Sequence, residues 1–165
     1  MKLFTAPQNL DSVWDSMYPS IFLGGSIEMG KAEPWQEEVI IALDNYEVFL
    51  LNPRRTEWDA SWVQSVTNPQ FKEQVLWEQE ALLGAAHTFF YIDPATMSPI
   101  TLLEIGQIFG TGYAVDNLTL VCPKGFWRRG NLEVMAEAEG ITIHETLDAG
   151  IAELQNLFRY LHQKV

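Results

Sequence analysis

A chain of 165 residues that is 47% apolar and 12% aromatic can bury a self-sufficient core, so residues 1–165 read as a single globular α/β domain. A net charge of −12 argues against wrapping a nucleic-acid polymer or coating an anionic membrane. The single cysteine, Cys122, leaves no internal disulfide, and His87, His144 and His162 lack metal-ligand spacing, so neither a zinc site nor another cofactor is expected. With no long apolar leader core and no span-length apolar segment, a cytoplasmic protein with no membrane partner is expected.

Residues 1–18 hold Pro7, Asn9 and Asp11 and read as an irregular arm with room for one short strand at Lys2–Thr5. Residues 20–26 form the first clear strand, which runs into the glycine turn Gly24-Gly25-Ser26. Residues 33–43 are helical, with Val39, Ile40 and Leu43 on one face. A second strand at 47–51 opens into the polar and aromatic loop 52–62. Asn68-Pro69 starts a long helix to about Ala86, with Phe71, Val75, Leu76, Leu82 and Leu83 expected inward. The apolar run 88–92 is a third strand. Ser98-Pro99 then gives a helix-start signal, a hydroxyl able to cap followed by a ring suited to the first turn. A fourth strand at 117–122 leads through the loop 124–131 into a helix to about Glu139. A short fifth strand at 141–144 and a helix over 147–162 close the chain.

Strand-like apolar runs alternating with helices imply a mainly parallel, five-stranded sheet covered on both faces. Ligands of such sheets bind beyond the carboxyl ends of the strands. The turn 24–28 and the loops 54–62, 93–104 and 126–131 all belong to that edge, and the chain's unusual residues gather there. Four of the five arginines form two pairs, Arg54-Arg55 and Arg128-Arg129, which offer local positive points for an anion or simply solvated charge. Trp58, Trp62, Phe126 and Trp127 are able either to stack on a nucleobase or to pin loops to the core.

Glu104 stands among Ile100, Leu102, Leu103, Ile105, Ile108 and Phe109, where a carboxylate is costly unless it is hydrogen-bonded or functional. As an ionised group it would serve as a nucleophile or general base, able to form an ester with an electrophilic sugar carbon. Asp93 ends the third strand and reads equally as an active-site carboxylate or as an Asx-turn former before Pro94. Glu78, in Trp77-Glu78-Gln79-Glu80, reads as a solvated face or as a second active-site acid. Gly24-Gly25-Ser26 fits no phosphate-binding fingerprint, but it would let a ligand approach the backbone closely.

Taken in order, Ile21-Phe22-Leu23-Gly24-Gly25-Ser26-Ile27, Leu51-Asn52-Pro53-Arg54-Arg55, Ser98 with Leu103-Glu104-Ile105-Gly106 six residues on, and Gly125-Phe126-Trp127-Arg128-Arg129-Gly130-Asn131 resemble the nucleoside 2-deoxyribosyltransferase-like proteins. The resemblance covers roughly residues 20–145. It implies a flavodoxin-like, Rossmann-like three-layer sandwich acting on the N-glycosidic bond of a nucleoside or nucleotide. It also implies Glu104 as nucleophile at the anomeric carbon, Gly25 and Ser26 closing the sugar site, and Ser98 contacting the sugar or its 5′ substituent. Glu78 is the nearest match to a carboxylate that handles the base or sugar, and Asn131 to a residue donated into a neighbouring subunit's site, hence a homo-oligomer. Where the nucleoside transferases carry aspartate six residues before the nucleophile, this chain has Ser98. In that it is similar to the related 2′-deoxynucleoside 5′-phosphate N-hydrolases, and the arginine pairs, Arg54-Arg55 and Arg128-Arg129, would agree with a phosphorylated substrate. The family's tyrosine near the first turn has no clear equivalent.

These residues make the expected activity cleavage or exchange of a base through Glu104, with Asp93, Glu78 or a water protonating the departing base. The alternatives are a nucleotide-binding or sensing module on the same fold, without turnover, and a flavodoxin-like electron carrier. The carrier is disfavoured because Gly24-Gly25-Ser26 replaces a Ser/Thr-rich phosphate loop.

Overall fold

The structure, a computed structural model, describes residues 1–27, 32–55, 59, 61–112 and 114–162. Glu28, the expected end of the first turn, and Trp58, an expected stacking residue, lie outside the described residues.

Six parallel strands form one sheet in the order β1-β3-β2-β4-β5-β6. They are β1 (Lys2–Thr5), β2 (Ser20–Gly25), β3 (Phe49–Asn52), β4 (His87–Tyr91), β5 (Leu118–Val121) and β6 (Ile143–His144). The sheet therefore has one strand more than the five expected. The addition is the short N-terminal segment, which pairs Lys2 with Phe49 through Thr5 with Asn52 and so covers the β3 edge. In the N-terminal arm a single helical turn, α1 (Asp11–Trp14), follows. The other five strands run in the flavodoxin-like order, in which the connection out of β2 goes to one side of the sheet and the next connection crosses to the other.

Strands buried on both faces need apolar residues at every position, and β2 and β5 are buried along nearly their whole length. Successive side chains then divide between two cores. Phe22, Leu51, Phe90, Leu120 and Cys122 meet Trp77, Ala81 and Leu82 of α3 (Pro69–Gly84), Ile105, Ile108 and Phe109 of α4 (Pro99–Gly110), and Leu132 and Ala136 of α6 (Arg129–Glu139). Ile21, Leu23, Leu50, Phe89 and Val121 meet Trp35, Val39 and Leu43 of α2 (Trp35–Ala42) and Leu154 and Phe158 of α7 (Leu147–His162). A short turn of helix, α5 (Ala114–Asn117), precedes β5.

Helix α3 begins as its sequence demands. Asn68 caps it by accepting from the Gln70 and Phe71 amides, and Pro69 occupies the first turn. Its inward face differs from expectation, however. The buried residues are Gln74, Trp77, Ala81 and Leu82, whereas Leu76 and Leu83 are more than half exposed and Val75 also faces solvent. The apolar stripe is displaced because the face turned to the sheet edge carries polar side chains. Among the described residues, no helix is long and apolar enough to cross a membrane.

Candidate active site

The carboxyl ends of β2 and β4 lie side by side, Gly25 opposite Tyr91, where the two connections diverge. Gly25 has φ +144°, and a Cβ there would collide with the Tyr91 carbonyl oxygen and the Trp35 indole, so no larger residue fits. Ser26 then joins the two strand ends. Its amide donates to Tyr91 O at 2.9 Å, its carbonyl accepts from Trp35 Nε1 at 3.0 Å, and its hydroxyl oxygen accepts from the Asp93 amide at 2.8 Å.

That hydroxyl belongs to a cluster of three. Ser26 Oγ lies 2.5 Å from Ser98 Oγ and 3.0 Å from Thr96 Oγ1, and the last two are 2.7 Å apart. Thr96 also donates to Asp93 O at 2.8 Å. Ser98 occupies the residue before α4, as the sequence suggests, but its side chain caps no helical amide; it turns into the cluster instead. It does so from a left-handed backbone, φ +44° and ψ +50°, and among the described residues it is the only non-glycine residue with positive φ. A side chain held in that region by its surroundings marks a place where position outweighs local comfort. Thr96, unremarkable as one polar residue in a turn, is the member that the sequence did not single out.

Two carboxyl groups on the helices α4 and α3 are shifted by burial. Glu104 is 7% exposed on the sheet-facing side of α4, although Ile100 and Leu103 of the same helix are exposed. Burial, and then the charge of Glu78, pushes the Glu104 carboxyl up to about 8. Against the expectation of an ionised Glu104, burial and the Glu78 charge both favour the protonated form near neutral pH. Glu78, from α3, is also pushed up by burial, but it accepts a hydrogen bond from Gln74 Nε2 at 2.9 Å, which pulls it back. The two carboxyl groups thus act on each other through charge, and the hydrogen bond from Gln74 sets their environments apart.

The remaining expected residues are placed as follows. Asp93 is buried and its Oδ1 accepts from the Ala95 amide at 2.8 Å, the Asx-turn arrangement. Arg54 reaches the Ala32 and Glu33 carbonyls and Gln36 Oε1, and thereby holds the segment before α2. Arg55 pairs with Glu73 at 3.2 Å and lies over the Trp62 ring. Arg129 pairs with Glu133 and Glu145 and donates to Cys122 O, while Arg128 lies over Trp127. Three of these four arginines are thus engaged with neighbouring protein oxygens, and the fourth lies on an indole face. Trp127 Nε1 donates to Met97 O at 3.2 Å, which ties the loop after β5 to the loop after β4. Asn131 sits exposed in the first turn of α6. Among the described residues no group of three His, Cys, Asp or Glu side chains could share a metal ion.

A family model described as nucleoside 2-deoxyribosyltransferase like matches residues 18–126, about two-thirds of the chain. The chain belongs to that family. The matched span of this deoxyribosyltransferase-like protein runs from just before β2 to Phe126, and so includes Gly25, Ser26, Arg54, Arg55, Glu78, Asp93, Ser98 and Glu104; Asn131 follows it. No curated protein matches the chain.

Proposed function

We propose that the protein breaks the N-glycosidic bond of a nucleoside or nucleoside 5′-monophosphate through a covalent glycosyl ester on Glu104. The observation that carries this reading is the Glu104 carboxyl, buried on α4 under the like charge of Glu78, on the helix that begins at the strained Ser98 of the hydroxyl cluster. Glu104 begins protonated and Glu78 is its partner for that proton. As Glu104 attacks C1′, its proton passes to Glu78, the C1′–N bond breaks, and Glu78 delivers the proton to the departing base nitrogen. Water or a second base then attacks C1′, gives its proton to the pair, and releases the Glu104 carboxyl. Two carboxyl groups sharing one proton supply both the nucleophile and the acid without a metal-bound water.

Ser98, with Ser26 and Thr96, would receive the sugar's 5′ substituent. Rotatable hydroxyls offer donors and acceptors in any order, and the amides at the start of α4 favour negative charge. A 5′-phosphate therefore suits the cluster, whereas the arginines are held by other partners. Asp93 supports this site through its turn and hands the acid role to Glu78. In a homo-oligomer an exposed Asn131 would be free to enter a neighbour's site. The expected compartment is the cytoplasm.

The test is mass spectrometry of the protein incubated with deoxynucleosides and their 5′-monophosphates. Free base should accumulate with the native chain and not with Glu104→Gln, and a glycosyl adduct should be trapped on the peptide that holds Glu104. Tight recovery of unaltered nucleotide by both proteins would instead establish a binding module, and base release that survives Glu104→Gln would remove the mechanism.

A further inference from the structure

Gln74 lies one helical turn before Glu78 on α3 and is 3% exposed. Its Nε2 donates to Glu78 Oε1 at 2.9 Å and to Pro53 O at 2.8 Å, so both amide hydrogens are used. Those two acceptors fix the orientation of the amide, because turning it over would set its oxygen against a carbonyl and a carboxylate. The consequence is that Gln74 Oε1 is buried with no hydrogen-bond partner among the described residues. A methionine would fill the same space without an orphan oxygen. An arrangement that leaves a buried acceptor unsatisfied points to the other end of the amide as the part that matters.

We propose that Gln74 is a positioning residue whose hydrogen bond keeps Glu78 ionised, ready to take the proton that Glu104 gives up. By donating to Glu78 it keeps that carboxylate the ionised member, and the proton stays on Glu104 until a substrate arrives. The inference rests on the reading of Glu104 as nucleophile and Glu78 as acid. Were Glu78 protonated at rest, Glu104 would have no acceptor for its proton and could not become a nucleophile.

The groups that act on the pair come from three elements. Gln74 approaches Glu78 from its own helix, Glu104 faces it from α4, and the loop after β3 contributes the Pro53 carbonyl through Gln74. The nearby arginines of that loop are turned elsewhere, Arg54 to Gln36 and the Ala32 and Glu33 carbonyls and Arg55 to Glu73. The Gln74 bond opposes the effect of burial on Glu78, whereas both influences on Glu104 push it upward.

The experiment is a carboxyl-carbon NMR titration of the glutamates, with Glu78→Gln and Glu104→Gln for assignment, alongside pH profiles of kcat and KM on the best substrate. In the native protein Glu78 should titrate below Glu104. In Gln74→Met the Glu78 midpoint should rise by about one pH unit, the size expected for losing a hydrogen bond to a charged group. The acidic limb of kcat should move with it, and KM should stay within about twofold if the change acts on the acid's proton rather than on substrate binding. A Glu78 midpoint unmoved in Gln74→Met overturns the inference, and so does a native protein in which Glu104 titrates first, a result that needs no folded Gln74 variant. A native protein that shows both the order and the shift but releases no base upholds the assignment of Gln74 and removes the enzymatic reading alone.

Discussion

Replacing Glu104 by glutamine should stabilise the protein, and increasingly so as the pH rises. The folded carboxyl titrates at about 8 against an ordinary 4.5. Below 4.5 both the folded and the unfolded chain bind the proton, so this group contributes no pH dependence. Between 4.5 and 8 the unfolded chain has released the proton and the folded chain has not, so folding loses about 1.4 kcal/mol for each pH unit climbed. The loss reaches about 3 kcal/mol at pH 7 and levels off at about 5 kcal/mol above pH 8. Glu104→Gln removes it, because a neutral amide of the same shape has no proton to lose. Urea unfolding of both proteins at pH 5, 7 and 9 measures the difference, with m-values checked for constancy. The slope carries the test rather than the offset, since any hydrogen-bond cost of the buried amide is the same at every pH. A stability difference that stays flat between pH 5 and 8 would show that Glu104 is not a buried neutral acid and would remove the physical basis of the proposed site. The same substitution should abolish base release, which makes the carboxyl a group kept at the expense of stability.

Gly25→Ala should cost about 3 kcal/mol or more in urea unfolding, because φ +144° and the Tyr91 carbonyl both reject a Cβ. Ser98→Gly should be more stable than Ser98→Ala by about 1 kcal/mol, since only glycine relieves the positive φ; both should raise KM for a 5′-monophosphate more than for the free nucleoside. His87, buried against Thr119 with Nδ1 unpartnered, is pushed down to about 4 by burial. The folded protein should therefore lose up to about 3 kcal/mol as pH falls from 6.5 to 4, and His87→Gln should flatten that limb of its acid denaturation curve.

Much of this was legible from the residue pattern alone, for a physical reason. A parallel sheet covered on both faces needs near-continuous apolar runs, and residues 20–25, 49–52, 87–91 and 118–121 supply them. Asn68-Pro69 and Ser98-Pro99 fixed two helix starts, because a proline in the first turn loses no hydrogen bond. The sixth strand was harder to see. Lys2–Thr5 is short and bears exposed side chains, and pairing with β3 alone makes it a strand. The inward face of α3 was misjudged because apolar periodicity assumes that every inward position is apolar, while Gln74 faces inward and Leu76 and Leu83 do not. Gln74 and Thr96 left no trace in the pattern, for each depends on contacts between distant segments.

The same reasoning explains why these particular groups meet. At most points along a parallel sheet, the connection leaving one strand lies over its neighbour and fills the space above the strand ends. Between β2 and β4 the connections depart to opposite sides, so neither connection fills the space beyond both strand ends. Ser26 and Asp93 close that gap with one hydrogen bond, and the loop after β4 folds back only far enough to set Thr96 and Ser98 against them. Helices α3 and α4 pack into the same core on one face, and from them Glu78 and Glu104 act on each other through charge. A carboxyl on either helix alone would find solvent or a cation. Burial and like charge both disfavour a second carboxylate beside the first, and the hydrogen bond that Gln74 gives to Glu78 opposes that effect on one of the two alone.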